Sequence, residues 1–393
     1  MIKHTQKGET TMHYFIYFVI IVSFFDNFSQ LPIISLYAKE LGGSPFLIGL
    51  VVGLYSFSNM VGNVVAGRWI DRWGRKKIMV AGMLMAGVSV ALYAFVSTAQ
   101  QLAVVRFLHG IGGGLLVPAA YAFLGDRTKG KGRGQAMALS GAAIGVAAIV
   151  GPAYGGIIAQ RLGLDWVFVS VAILLILTAV LVFLFLPDHY QGAGSVKADR
   201  YDLLRLLKDP QLNQAYLGAF ALMFAVGILT MMLPLKVHAL GFGAALTGVL
   251  MSVYGLVAII LFVLPTNRLS DRLGRIKPMI YGLLLLGTAL LVLSLVSMQP
   301  AMFIAMVVFG AGFALLFPAI AALVVDQARA EERGRAFGLF YAFFSLGVVI
   351  GPLVVGSLAV APDHGLLVGA VGILLMGIVF IARNRMVLFV SHK

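Results

Sequence analysis

The stretch from Gly67 to Lys77 reads GRWIDRWGRKK, a cluster of charge set between two long apolar runs. A second copy, Asn267 to Lys277 (NRLSDRLGRIK), follows 200 positions later. At that unbroken spacing Arg68, Asp71, Arg72, Gly74, Arg75 and Lys77 match Arg268, Asp271, Arg272, Gly274, Arg275 and Lys277. The register holds downstream, where Gly110, Gly112, Leu115, Leu116 and Pro118 meet Gly310, Gly312, Leu315, Leu316 and Pro318. It continues with Asp126, Arg133, Gly134, Gly151, Pro152 and Gly156 against Asp326, Arg333, Gly334, Gly351, Pro352 and Gly356. Self-similarity over this length marks a duplicated structural unit.

The composition says what solvent surrounds the two copies. The chain is 61% hydrophobic and 11% charged, with a mean hydropathy of +0.99. A water-soluble globule of 393 residues cannot hide that much apolar side chain, so most of the surface must face lipid. A net charge of +14 suggests nucleic acid only where basic residues share a folded polar face. Here they lie in short loops between apolar runs, which excludes that partner. The absence of cysteine excludes disulfides, thiolate metal sites and a cysteine nucleophile. His4, His13, His109, His189, His238, His364 and His392 are scattered without metal-ligand spacing, so no metal is expected. No Gly-rich phosphate loop leads into Lys-Ser or Lys-Thr; ATP is therefore not the expected fuel, and neither a cofactor nor an enzyme is expected.

Twelve apolar segments lie near 13–38, 46–67, 78–97, 101–124, 134–160, 164–187, 211–237, 243–266, 278–298, 300–325, 335–360 and 364–383. Each is close to the roughly 20 residues that a membrane-crossing helix needs. The first is too long, and too polar in its middle (Asp26, Asn27, Ser29, Gln30), to be a cleaved signal peptide. With the N-terminus in the cytoplasm, the outside loops hold only Lys39, Arg161 and Lys236. The positive-inside rule then places both termini in the cytoplasm. The expected organisation is an N-terminal bundle over 1–187, a cytoplasmic linker over 188–210 with a short surface helix at Tyr201 to Lys208, and a C-terminal bundle over 211–393. Six segments per half is an even number, so the halves enter the membrane in the same sense, as parallel repeats about an axis along its normal. The expected fold class is an all-α membrane protein with twelve transmembrane helices in two six-helix, pseudo-symmetric bundles.

Over nearly its whole length the chain resembles the major facilitator superfamily. Gly67-x-x-x-Asp71-Arg72-x-Gly74-Arg75-Lys76 looks like that family's signature loop between the second and third helices. The resemblance implies a cytoplasmic gate built from Gly67, Asp71, Arg72, Gly74, Arg75 and Asp126, with Asp271, Arg272, Arg275 and Asp326 as its copy. Asp71 would sit at the positive end of the eleventh helix near Gly334, and Arg72 or Arg75 would bond Asp126. Gly151-Pro152-Ala153-Tyr154-Gly155-Gly156 looks like the Gly-Pro-x-x-Gly-Gly motif of proton-driven antiporters in the same superfamily. Where that pattern has an earlier Gly this chain has Ala147, which keeps the small face. Small residues let helices approach closely and Pro152 permits a bend. The alternative is a packing seam without bearing on transport direction.

Positions that the two copies do not share must do what one half alone does. Asp26 is answered by Val226, Arg106 by Met306 and His109 by Phe309. A carboxylate near the bilayer midplane is expensive to keep charged, which suits Asp26 to taking up a proton from one side and yielding it to the other. Gln30 lies four residues on, on the same helical face, and Asn27 is adjacent. The alternative is an Asp satisfied by hydrogen bonds between helices. The resemblance gives Arg106, in Arg106-Phe107-Leu108-His109-Gly110, a part in proton relay or in holding the Asp. His109 stands where the family more often has Gln, as a titrating group or a neutral hydrogen-bonding substitute.

Asp26, Asn27 and Gln30, with Tyr55, Asn59 and Asn63 at four-residue spacing, give the N-terminal half a polar wall for a substrate cavity. The C-terminal half offers Met223, Phe224, Met231, Met232, Tyr254, Phe313, Phe317, Tyr341, Phe344 and Ser345. Thioethers and flat rings accommodate many apolar shapes, and one buried acid favours cations. The expected function is proton-coupled export of lipophilic, cationic small molecules by alternating access, in a multi-pass protein of a bacterial inner membrane. Its partners are a small-molecule substrate, protons and membrane lipid, and a monomer is expected. The rival readings are a lipid or lipid-linked flippase of the same fold, a metabolite symporter and a transport-inactive sensor.

Overall fold

The computed structural model describes residues 2–127, 132–187, 201–264, 274–329 and 332–384. The regular elements among them are helices: α1 (Ile2–Gln30), α2 (Ile34–Glu40), α3 (Pro45–Trp73), α4 (Arg75–Tyr93), α5 (Ala99–Arg127), α6 (Gly132–Leu162) and α7 (Leu164–Phe185). There follow α8 (Tyr201–Lys208), α9 (Pro210–Ala239), α10 (Ala244–Val263), α11 (Ile276–Leu295), α12 (Gln299–Gln327), α13 (Arg333–Ser357) and α14 (Pro362–Arg383). Eleven of these are long and apolar enough to cross a membrane. A twelfth crossing comes from Tyr14–Gln30 with Ile34–Glu40, joined at a 45° bend. The expected first segment, 13–38, is this broken pair. Pro32 has no amide hydrogen and disfavours helix at the residue before it, so the chain turns through short bonds, Leu31 N to Phe28 O (3.4 Å) and Ile33 N to Gln30 O (3.1 Å).

The helices assemble into two compact units. One comprises Met1–Gly43, Leu54–Val196 and Gly243–Gly248, and the other Ser44–Gly53, Lys197–Phe242 and Val249–Lys393. In the first, α1 packs on α6, and α4 on α5 and α7. In the second the same pairings recur one repeat later: α9 on α13, and α11 on α12 and α14. Of the expected linker 188–210, residues 188–200 lie outside the described residues, and Tyr201–Lys208 is α8.

Small residues set these seams. A Cβ at Gly82 would lie 2.8 Å from the Gly112 carbonyl oxygen, and one at Gly282 would lie 2.9 Å from that of Gly312. Backbone approach this close requires residues without bulk on both helices. Gly74 has φ 92° and Gly274 φ 74°, a left-handed conformation that glycine alone adopts without strain. That explains the invariant place of glycine in the two copies of Asp-Arg-x-Gly-Arg: it turns the chain from α3 directly into α4.

The second unit is organised on α9, which is buried along most of its length. Asp209 starts it, its carboxylate accepting from the amides of Gln211 and Leu212 at 2.9 Å, with Pro210 at the first helical position. Lys236, expected in an outside loop, belongs to this helix and is 2% exposed. Its ammonium donates to the Leu293 carbonyl (2.6 Å) at the end of α11 and pairs with Asp363 (2.6 Å) in the first turn of α14. A cation at a helix C-terminus and an anion at an N-terminus each complement the local dipole. Lys236→Met should therefore lower stability by about 2 kcal/mol, seen as a fall of roughly 5 °C in the thermal unfolding of the purified protein. An unchanged midpoint would show that the cluster contributes nothing.

Candidate functional site

The three positions that break the repeat converge in the first unit. Asp26 on α1 and His109 and Arg106 on α5 are buried, with exposures of 1%, 0% and 1%. His109 Nε2 lies 2.7 Å from Asp26 Oδ2. The Gln30 amide donates to Asp26 Oδ1 (2.9 Å) and to the Asp26 carbonyl (3.1 Å), and its oxygen accepts from Arg106 Nη1 at 2.6 Å. Arg106 thus reaches the carboxylate through Gln30. A second N–H of Arg106 points at the Tyr93 hydroxyl (3.4 Å), which lies 2.9 Å from His109 Nδ1. The guanidinium sits 4.8 Å from the centroid of the Tyr55 ring, which meets His109 edge-on.

The donor inventory assigns the protons. Arginine cannot accept, so Tyr93 oxygen is an acceptor toward Arg106 and must send its own hydrogen elsewhere. His109 Nδ1 is the acceptor in reach. With Nδ1 accepting, the ring hydrogen sits on Nε2 and is donated to Asp26. Each oxygen of the Asp26 side chain then meets one donor, Gln30 on Oδ1 and His109 on Oδ2, and Arg106 brings a positive charge to the cluster through Gln30. Of the neighbouring expected residue Asn27, the side-chain oxygen is buried with no partner among the described residues.

In the second unit the corresponding place is apolar. Phe309 meets Tyr254 edge-on with ring centroids 5.6 Å apart, and Met306 is buried beside it in sequence. From there rings run continuously: Tyr254 to Phe313 (6.1 Å), Phe313 to Phe317 (5.9 Å), Phe317 to Phe344 (6.2 Å) and Phe344 to Tyr341 (6.1 Å). Tyr341 is exposed, and Ser345 is half-buried one turn further along α13. Met223, Phe224 and Met231 are not part of this row; they are buried along α9. Met223 and Phe224 meet α13 at Gly347. On α3, Asn63 donates to Asn59 at 3.0 Å, and Tyr55 and Asn59 face Gly113.

Of the expected gate residues, Arg75 Nε lies 2.8 Å from Asp126 Oδ2, and Arg275 Nε lies 2.8 Å from Asp326 Oδ2. Each pair ties the turn after Gly74 or Gly274 to the far end of α5 or α12. Gly67, Asp71 and Arg72 are exposed at the end of α3, with the Arg72 guanidinium over the Trp73 ring. Asp271 and Arg272 lie outside the described residues. In the α6 motif Gly151 and Gly155 pack on Phe28 and Ser29 of α1, two and three residues past Asp26. Pro152 and Gly156 meet Gly248 at the start of α10, within the same unit.

Sequence reading missed Tyr93 and Tyr37. Tyr93 is fully buried, and Tyr37 of α2 donates to its backbone carbonyl at 2.5 Å. The signal was present, since position 293 is Leu and position 237 is Val. The second unit fills the equivalent role with Lys236, which donates to the carbonyl of residue 293.

The helices and the repeated small-residue seams define a multi-pass membrane protein built of two repeated units. A family model described as Major Facilitator Superfamily matches residues 16–264 and 215–389, and the chain belongs to that family. Multidrug resistance protein 1 of Bacillus subtilis (strain 168) is 29% identical over 334 residues, covering 84% of this chain and 84% of the relative. Multidrug resistance protein MdtG of Escherichia coli O9:H4 (strain HS) is 26% identical over 346 residues, covering 85% and 84%. Among solved structures, the nucleoside transporter NupG superposes with a TM-score of 0.78 at 14% identity, over 94% of this chain and 98% of that one. At that identity the likeness concerns the fold.

Proposed function

We propose that this chain is a proton-coupled exporter of lipophilic, cationic small molecules, working by alternating access between an N-terminal bundle (1–187) and a C-terminal bundle (211–393). The observation that carries the reading is the closed cluster of Asp26, Gln30, His109, Arg106 and Tyr93 in only one of two otherwise repeated units. A buried carboxylate facing an imidazole is equipped to hold or lose one proton. The names of the two multidrug resistance relatives support the substrate class. The row of rings from Tyr254 to Tyr341 gives the second unit an apolar, adaptable surface, and Tyr55, Asn59 and Asn63 give the first unit a polar one. Protonation at Asp26 and binding of a cation compete, so exchange follows. Arg75–Asp126 and Arg275–Asp326 act as paired latches of the cytoplasmic gate, and the α6 motif holds α1 against α6. Both termini face the cytoplasm of a bacterial inner membrane, and the protein works as a monomer surrounded by lipid.

The test uses purified protein in sealed vesicles with ethidium as the probe. An imposed pH gradient should drive ethidium against its concentration gradient, and adding ethidium without a gradient should release protons. Ethidium movement indifferent to the pH gradient, or lipid scrambling without proton dependence, would replace this reading with the flippase.

A further inference from the structure

The cluster contains one hydroxyl whose direction depends on how many protons its neighbours hold. Tyr93 contributes it from the last residue of α4, with its ring edge-on to His109 (5.7 Å) and to Phe168 of α7 (5.2 Å). The groups that face it are Asp26 with Gln30 from α1, Tyr37 from α2, Tyr55 from α3, and Arg106 and His109 from α5; α7 offers an uncharged ring. Of these, His109 Nδ1 at 2.9 Å is the acceptor for the Tyr93 hydrogen.

An added proton meets a set of fixed donors. Arg106 holds the Gln30 oxygen, so the Gln30 amide must present its N–H groups to Asp26. The Oδ1 side therefore has no acceptor to offer. The proton must enter through the other oxygen, Oδ2, or through the ring. If the imidazole becomes doubly protonated, Nδ1 carries a hydrogen. If Asp26 becomes neutral with its hydrogen toward Nε2, the ring hydrogen again moves to Nδ1. In both cases Nδ1–H faces Tyr93, so the phenol must turn its own hydrogen away from the ring, giving up the acceptor that it has in the empty state, and accept from Nδ1–H instead. We propose that Tyr93 is the positioning residue for proton uptake: its hydroxyl donates to His109 when the cluster is empty and accepts from His109 when the cluster is loaded. This rests on the proton-coupled reading of the same site.

The proposal fixes a sign. A hydrogen bond from a charged or charge-sharing donor is about twice as strong as a neutral one. Removing the hydroxyl therefore weakens the loaded state more than the empty one. Tyr93→Phe should shift the loading midpoint toward acid by about one pH unit, a tenfold loss of proton affinity. Tyr37→Phe removes the bond to the Tyr93 carbonyl but leaves the hydroxyl in place; it should lower thermal stability and leave that midpoint unmoved.

The experiment follows the histidine ring ¹⁵N and tyrosine Cζ ¹³C resonances of the purified full chain against pH. In the wild type, the signals of His109 and Tyr93 should move together at one midpoint, with Nδ1 unprotonated above it. Tyr93→Phe should move the His109 midpoint toward acid while Tyr37→Phe does not. A Tyr93 resonance that stays still while His109 titrates overturns the proposal without need of any variant, as does an unshifted midpoint in Tyr93→Phe. The proton-coupled reading is judged separately, by ethidium transport in wild-type vesicles. Gradient-driven export with an immobile Tyr93 signal removes the proposal and leaves that reading intact.

Discussion

Asp26→Asn is expected to reduce ethidium-driven proton release from vesicles to the level of protein-free membranes. The substitution preserves shape and removes the carboxyl group. Its local cost is definite, because Asp26 accepts from Gln30 on one oxygen and from His109 on the other. An asparagine has one oxygen and one amide group, so either Gln30 faces an N–H or the His109 ring moves its hydrogen from Nε2 to Nδ1 and disturbs the bond to Tyr93. A buried donor left without an acceptor costs about 1–3 kcal/mol. Arg106 also loses the charge that balances it. The expected result is a folded, less stable protein in which ethidium moves only down its gradient. The measurement is internal pH, reported by a trapped pH-sensitive dye. Undiminished proton release in Asp26→Asn would remove Asp26 from the coupling scheme.

Replacing Arg106 tests the other charge. In Arg106→Met the Gln30 oxygen and the Tyr93 hydroxyl lose their donor, and Asp26 is left as a buried anion without a counter-charge. Breaking a buried charge arrangement by removing one partner costs about 3–5 kcal/mol. Thermal unfolding should fall by roughly 10 °C, and pH-driven ethidium export should be lost. Removing both charges relieves the imbalance. Asp26→Asn combined with Arg106→Met should therefore cost less than the sum of the two single changes, by about 1 kcal/mol or more. Additive losses would mean that the two groups do not sense one another through Gln30.

Much of this was written plainly in the chain. The spacing of 200 that joins Asp71 to Asp271 and Pro152 to Pro352 gave the two copies, and apolar run length gave the crossings. The charges that break the repeat, Asp26, Arg106 and His109, could be picked out because a lone ionisable group in a lipid-facing helix has to be explained. Tyr93 could not be picked out in the same way. A tyrosine at the end of an apolar run reads as an interfacial side chain, and only the packing of α4 on α5 turns its hydroxyl toward His109. Lys236 was misread for a related reason. A lysine near the end of a run reads as a loop charge, whereas its long stem reaches inward to the last carbonyls of α11. Met223, Phe224 and Met231 carry the same thioether and ring chemistry as any cavity lining. What separates them from the row at Tyr254, Phe313 and Phe317 is their place along the buried face of α9, which periodicity alone does not reveal.

The bend at Pro32 makes the first crossing a jointed lever. Asp26 is fixed to the arm before the joint, and Tyr37, which grips the Tyr93 carbonyl, is fixed to the arm after it. The carboxylate and the anchored end of α4 thus approach the cluster from opposite sides of one joint, so the angle of a single broken helix sets the distance between them.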